Sequence, residues 1–191
     1  MIIALTGTPG TGKTTVCGLI NEHSQYRKQY RIIDINKLVL DERLYTEKDE
    51  KRDSYVADID KLEERVKEFI EQDGRDIIME GHLSHFLPAD AVIVLRAHPV
   101  ALRKRLGKRK KYSFEKVSEN ANAEALDVIL VEASEKSDKV FEINTTDATP
   151  LSVVKSIVSI IESLKNGKIP EEFLPGKINW IEEVDNHHVS R

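Results

Sequence analysis

A glycine-rich motif near the start of the chain constrains its fold more than any other feature. Residues 7–14 are Gly-Thr-Pro-Gly-Thr-Gly-Lys-Thr, a complete match to the phosphate-loop pattern G-x-x-x-x-G-K-[ST]. The apolar run 1–6 precedes the motif, and apolar residues at helical spacing follow it in 13–22. A strand, a glycine loop and a helix in this order predict a loop that binds the phosphates of ATP or GTP together with Mg²⁺.

The residue types of this loop suit that task. Glycines allow the backbone N–H groups to turn inward around the β- and γ-phosphates. The helix after the loop directs the positive end of its dipole at the same charge. Lys13 supplies a cation that can follow the transferred phosphoryl group, and the hydroxyl of Thr14 is placed to ligate Mg²⁺.

Apolar segments alternate with amphipathic segments along the rest of the chain. The segments that we predict to be buried strands are 1–6, 31–35, 76–80, 91–95 and 139–144. The segments that we predict to be helices are 13–22, 60–72, 99–106, 113–134 and 149–167. Strands that alternate with helices favour an α/β fold, here a parallel sheet of five strands flanked by helices and joined by right-handed crossovers.

Two segments, the long predicted helix 113–134 and the segment 34–57, carry more specific expectations. Ser113 is the expected N-cap of the long helix, and Phe114 and Val128 belong to its expected inward face. The segment 34–57 is charged and has no strong period, so we expect short helices there.

Composition narrows the class of protein. The 191 residues suit one domain, placed at 1–168, followed by a tail, 169–191, that holds the only tryptophan, Trp180. A net charge of −4 gives no overall basic field that would draw the chain to nucleic acid or membrane. A single cysteine excludes disulfides and cysteine-rich zinc sites within the chain. No apolar run is long enough to span a membrane, so we expect a cytoplasmic protein without membrane contact.

The predicted strand 76–80 ends in an acid, Glu80. An apolar strand with a terminal carboxylate is typical of the Walker-B strand, whose acid holds Mg²⁺, often through water. Ligands of an open α/β sheet bind at the carboxyl ends of its strands, and both Gly7 and Glu80 lie at such ends. We therefore predict Glu80 as a metal ligand together with Thr14. His82 follows closely and could orient a water, transfer a proton or bond to the loop.

Positive charge is concentrated in residues 103–111. Phosphoryl transfer develops negative charge that arginines on a closing lid can stabilise. Arg105 and Arg109 are four residues apart and would share one face if the helix continued this far, so they are the predicted catalytic arginines. The other basic residues favour a solvated face, or a patch for RNA or an acidic partner.

A phosphate loop alone does not distinguish a switch from a motor or a kinase. A chain of 191 residues leaves little room for a guanine-specificity region. The charged segment after the second predicted strand lies where small nucleotide kinases place the acceptor, so a kinase is favoured.

Several short motifs, in this order and spacing, resemble one family. They are Gly7 to Thr15, Leu44-Tyr45, Glu80-Gly81-His82, Phe86-Leu87-Pro88, Val94-Leu95-Arg96, Arg105-Leu106, Arg109, Tyr112, Glu119-Asn120 and Glu124. The chain is similar, over about residues 1–165, to the archaeal and eukaryotic adenylate kinase isoenzyme six family, also called coilin-interacting nuclear ATPase protein.

The resemblance implies a nucleoside-monophosphate-kinase fold with an acceptor segment at about 34–57 and a short lid at about 108–118. It implies Arg109 as a lid arginine that contacts ATP. Family members combine adenylate kinase activity with slow ATPase activity, and act in small-subunit ribosome maturation with a ribosomal protein near the rRNA. The ATP-binding residues implied are Gly10, Thr11, Gly12, Lys13, Thr14, Thr15 and Arg109.

This sequence departs from the family pattern in two places. The usual Asp-x-His is Glu80-Gly81-His82 here, and the lid has Lys110 and Lys111 where glycine more often follows the arginine. Three functions remain open at this point. The chain could be an adenylate kinase that uses ATP, AMP, ADP and Mg²⁺, an ATPase assembly factor that binds a small-subunit ribosomal protein with transient rRNA contact, or a kinase for another small acceptor.

Overall fold

The computed structural model describes residues 1–49, 54–71, 73–110 and 112–181, and every structural statement below concerns these residues. Five parallel strands form the central sheet in the order β2-β5-β1-β6-β7. The strands of the chain are β1 (Ile2–Thr6), β2 (Tyr30–Asp34), β3 (Tyr45–Asp49), β4 (Ser54–Ala57), β5 (Asp76–Glu80), β6 (Ala91–Arg96) and β7 (Val140–Asn144). The phosphate loop follows β1, at the centre of the sheet, so its neighbours on either side bring their own carboxyl ends beside it.

Helices cover both faces of the sheet. Their bounds are α1 (Lys13–Glu22), α2 (Ser24–Gln29), α3 (Ile35–Asp41), α4 (Ile59–Glu71), α5 (Pro99–Gly107), α6 (Phe114–Ala125), α7 (Val128–Lys136) and α8 (Pro150–Lys165). Side chains alternate along β1, so Ile3 and Leu5 pack against α1 and α8, while Ala4 packs with α3, α4 and α7. Both faces of every central strand are therefore buried, as a parallel sheet requires.

The predicted long helix 113–134 is wrong as a single element. Ser113 does cap α6, because its side chain accepts from the backbone N–H of Lys116. The helix then breaks at Asp127, whose φ of 56° lies in the left-handed region that aspartate tolerates better than most residues. Phe114, at the first turn, is 87% exposed and Val128 is exposed as well, so neither points inward.

The segment 34–57, which was predicted to bind the acceptor, differs from expectation too. Besides the short helix α3, it contains an antiparallel pair, β3 and β4, where only short helices were expected. Alternation is short in both strands, which is why periodicity did not show them. Residues 50–53 of this segment and Lys111 of the lid lie outside the described residues.

The described part of the tail packs against the domain. Trp180 is only 9% exposed and lies beside Arg96, while residues 182–191 lie outside the described range. Among the described helices, none combines the length and the apolar character that crossing a membrane would need.

Candidate active site

The phosphate loop has a backbone that only glycine accommodates at two of its corners. Gly7 has a φ of 134°, and a Cβ there would lie 2.3 Å from the carbonyl oxygen of Leu95 at the end of β6. Gly12 has a φ of 104° and is the N-cap of α1. These positions let the loop turn sharply between β1 and the helix.

Lys13 is buried against the loop's own backbone. Its Nζ donates to the carbonyl oxygen of Gly7 at 2.6 Å and to that of Thr8 at 3.2 Å. Burial lowers the pKa of Lys13 to about 8, while the carboxylates of Glu80 and Glu124 act in the opposite direction. The ammonium is thus held where phosphate oxygens would replace the two carbonyls as its partners.

Thr14, in the first turn of α1, contacts Glu80, the last residue of β5. Glu80 pairs with Leu5 in the sheet register, and its Oε1 accepts from Thr14 Oγ1 at 3.0 Å. Burial raises the pKa of Glu80, although the hydrogen bond from Thr14 and the charge of Lys13 oppose the rise. One hydroxyl and one carboxylate oxygen side by side fit the hard-oxygen preference of Mg²⁺. Over the described ranges no cluster of three or more His, Cys, Asp and Glu is found, so Mg²⁺ here would draw its other ligands from water and phosphate.

His82 faces the same cleft as Lys13. Desolvation in the cleft lowers the pKa of His82 to about 4, and the charge of Lys13 acts in the same direction. The imidazole is therefore neutral at pH 7 and able to accept a proton or orient a water.

His85 is buried and lies behind His82. Its Nδ1 lies 3.0 Å from Thr6 Oγ1, and its Nε2 lies 3.2 Å from Glu132 Oε2. Burial lowers the pKa of His85. These two contacts connect β1 to α7 through His85 and indicate a structural role for it. Gly81 has a packing reason as well, since a Cβ there would lie 2.9 Å from Cβ of Ile35.

The two predicted arginines do not share a helix face, because α5 ends at Gly107. Arg105 donates to the carbonyl oxygens of Thr145 and Thr146, both at 2.7 Å, and to that of Gly10 at 3.3 Å. These bonds favour a bracing role for Arg105, and its predicted action on the transferred phosphoryl group stays a prediction. Arg109 is exposed and lines clefts on both sides of the phosphate loop, as a lid arginine would.

Two clefts flank the loop. One, of about 370 Å³, lies between Arg105, Arg109 and the start of α8. The other, of about 540 Å³, extends from the loop to Asn36 of α3. Its lining includes Lys13, Thr14, Asn36, Glu80, His82, Arg109, Tyr112 and Asn120. The arrangement offers one site for a triphosphate and, next to it, room for a second ligand.

Several supporting residues were not given a role from sequence. Thr145 donates through Oγ1 to the carbonyl oxygen of Thr11 at 2.8 Å and so fastens the loop to the end of β7. Glu124, which the sequence indicated only among the motifs of the family resemblance, accepts a hydrogen bond from Thr8 of the loop. Arg96, a charged residue that ends an otherwise apolar strand, was the available signal for the buried network around it.

The lowered pKa of Lys13 predicts a pH dependence for ATP binding. A triphosphate favours the charged ammonium, so affinity should be full below pH 8 and fall by up to about tenfold per pH unit above it. Calorimetric titration with ATP between pH 7 and 9.5 measures this. Lys13→Met should bind weakly with a flat profile, and an equally flat wild-type profile would contradict the assignment.

Comparisons with known proteins agree with this geometry. The chain matches the family model described as "AAA domain" over residues 3–127. It is 49% identical over 191 residues to a protein of Methanosarcina acetivorans named "Putative adenylate kinase", an alignment that covers 96% of this chain and 100% of that protein. A protein of the same name from Thermococcus onnurineus is 40% identical over 185 residues, with 97% and 94% of the two chains covered.

A solved structure provides the comparison of architecture. Shikimate kinase from Bacteroides thetaiotaomicron superposes with a TM-score of 0.57 over 85% of this chain and 98% of that one. The sequence identity is 17%, so the likeness concerns the fold alone. The predicted fold, a five-stranded parallel sheet of the phosphate-loop kinase type flanked by helices, is confirmed. The boundaries of the acceptor segment, the lid and the tail stay predictions.

Proposed function

The chain belongs to the AAA domain family together with its archaeal relatives, and on this premise we propose that it is an adenylate kinase, which transfers the γ-phosphoryl group of ATP to AMP and forms two ADP. The relatives' shared name supports the choice of acceptor. The phosphate loop, complete in sequence and in backbone geometry, supports ATP as the donor.

One observation carries the proposal: a single cleft joins the loop to the acceptor segment. Lys13 lies on the loop side, Asn36 of α3 lies on the acceptor side, and His82 lies between them. Two phosphorylated ligands held end to end in such a cleft would place the AMP phosphate in line with the γ-phosphoryl group. No covalent intermediate is required, since positioning and electrostatics are sufficient for this chemistry.

Each residue then has a defined task. Lys13 and Arg109 neutralise charge on the transferred group, and the loop N–H groups hold the β- and γ-phosphates. Thr14 and Glu80 would hold Mg²⁺, which neutralises phosphate charge when bound. Neutral His82 can accept a hydrogen bond from the incoming group or from a water beside it.

The assay for this proposal is stoichiometric. Purified protein with ATP, Mg²⁺ and AMP should form two ADP for each AMP consumed, and the Lys13→Ala variant should not. Omitting AMP should leave only slow phosphate release. If ADP formation is independent of AMP, the adenylate kinase proposal fails. Replacing AMP by CMP, UMP or GMP in the same assay tests the alternative that another small acceptor is used.

A second function, an ATPase that acts in small-subunit ribosome maturation, is supported by the family resemblance and by the exposed lysines of the lid region. Lys104, Lys108 and Lys110 are all exposed and could contact rRNA or an acidic protein surface. Phosphate release without AMP should then rise when a small-subunit ribosomal protein is added, and should vanish in Lys13→Ala. If the partner changes neither hydrolysis nor its own binding with nucleotide, this second function fails.

A further inference from the structure

Arg96 is a buried cation surrounded by three carboxylates. It ends β6, and its side chain is 1% exposed. Nε donates to Glu124 Oε1 at 2.8 Å, Nη1 donates to Glu142 Oε2 at 3.1 Å, and Nη2 contacts Asp127. Burial alone would lower the pKa of Arg96, but the carboxylates outweigh it and raise the pKa. A buried guanidinium with this many partners fixes the relative positions of the elements that carry them.

On one side this network reaches the phosphate loop. Glu124 lies at the end of α6, the helix that returns from the lid, and is 3% exposed. Its Oε2 accepts from the hydroxyl of Thr8, and its Oε1 also accepts from the backbone N–H of Ala97 at 3.0 Å. The carboxylate of Glu124 therefore joins Thr8 to Arg96 directly.

On the other side the network reaches the tail segment 176–181. The ring of Trp180 covers the guanidinium of Arg96 at 5.1 Å from its centroid, in cation–π contact. The backbone N–H groups of Lys177 and Ile178 donate to Glu142 Oε1 at 2.9 and 3.2 Å. Three carboxylates around one guanidinium leave excess negative charge in a buried place, and these two donors stabilise the buried Glu142.

We propose that the tail segment 176–181 is a positioning element of the ATP site, and that Trp180 and Arg96 hold Glu124 so that Thr8 keeps the phosphate loop in shape. The route runs from Trp180 to Arg96, from Arg96 to Glu124 and from Glu124 to Thr8, with a direct contact at every step. The tail segment lies outside both clefts, so it acts on ATP only through the loop. The inference rests on the proposed function in one respect, that ATP is the ligand of the loop.

Removing the Trp180 ring should weaken ATP binding selectively. Trp180→Ala should raise the Kd for a non-hydrolysable β,γ-imido analogue of ATP by about five- to tenfold, with the Kd for AMP changed less than about twofold. Trp180→Phe keeps an aromatic face over Arg96 and should restore most of the affinity. Ile169→Ala, at a tail side chain outside the segment 176–181 that is 52% exposed, is the matched control and should bind like the wild type. Calorimetric titration gives all of these constants.

A double-mutant cycle tests the route itself. Thr8→Val removes only the hydroxyl that reaches Glu124, and it should weaken binding of the ATP analogue about as much as Trp180→Ala does. If both act through one chain of contacts, the double variant should be no weaker than either single variant. Circular dichroism and thermal unfolding establish that each variant is folded.

The outcomes separate this inference from the proposed function. A lower Tm for Trp180→Ala with an unchanged ratio of ATP to AMP affinity would mean a purely structural role and would overturn the inference. Additive losses in the double variant would overturn it as well. If the wild-type protein bound no ATP analogue, the proposed function would fail and the inference with it. If ATP bound but AMP did not, the acceptor would be wrong while the cycle would still decide the role of the tail segment.

Discussion

Replacing Lys13 with methionine should lower the rate of ADP formation by about 10²- to 10³-fold, the scale seen when one charge-stabilising donor is removed from a transition state. Lys13 combines a buried ammonium, a place at the start of α1 and bonds to two loop carbonyls. Methionine has a similar length but no charge, so the loss reports on electrostatics rather than on space.

Lys13→Met should be at least as stable as the wild type, so a loss of activity would not be due to unfolding. Burial lowers the pKa of Lys13, which means that the folded protein holds the charged form at a cost. Because the folded pKa lies below the ordinary value, stability rises as the pH goes from about 8 towards the pKa of the unfolded chain. Lys13→Met should therefore unfold at the same temperature as the wild type or higher at pH 7. Lys155→Met, at an exposed position on α8, is the control and should leave the rate unchanged. Full activity in Lys13→Met would contradict the proposed role.

The parts of the site that could be predicted are those determined by short stretches of sequence. The loop 7–14 needs glycines at particular corners, and its pattern is unmistakable because Gly7 and Gly12 adopt conformations that other residues rarely tolerate. Glu80 could be predicted because an apolar strand that ends in an acid brings the acid to the loop edge of a parallel sheet. Both inferences depend on local pattern and on one rule of sheet geometry.

The parts that could not be predicted depend on contacts between distant residues. Arg96, Glu124 and Glu142 come from three elements. Arg96 is conspicuous as a charge that ends an apolar strand, but local sequence does not indicate which carboxylates it meets. The break in the helix at Asp127 belongs to the same network, since the carboxylate of this residue reaches Arg96. The prediction that Arg105 and Arg109 share one helix face depended on the helix continuing as far as residue 109, and it does not. Periodicity did not show that α5 ends at Gly107, before the second arginine.

Substitutions of Glu80 should separate metal binding from stability. Glu80→Gln keeps an oxygen that can accept from Thr14 but removes the charge, so ADP formation should fall by about 10²-fold and the Mg²⁺ concentration for half-maximal rate should rise. Glu80→Asp keeps the charge on a side chain one methylene shorter. It should retain activity within about tenfold of the wild type, with a higher Mg²⁺ requirement.

Glu80→Gln should also make the protein more stable. Burial raises the pKa of Glu80, so the charged carboxylate is held at a cost in the folded state at neutral pH. Because its folded pKa is raised, the carboxyl contributes more to stability at low pH, and that contribution is lost as the pH rises through the folded pKa. Glu80→Gln should thus raise the Tm at pH 7.

Thermal unfolding across pH decides this second effect. The difference in Tm between Glu80→Gln and the wild type should narrow as the pH falls towards the raised pKa, because the wild-type carboxyl then becomes neutral as well. Glu135→Gln, an exposed position on α7, should change neither activity nor Tm. A glutamine variant that was as active as the wild type at low Mg²⁺ would remove Glu80 from the metal site. A variant that lost both activity and stability would mean that Glu80 holds the fold rather than the metal. Lost activity with gained stability is the result expected of a carboxylate kept in place for the reaction.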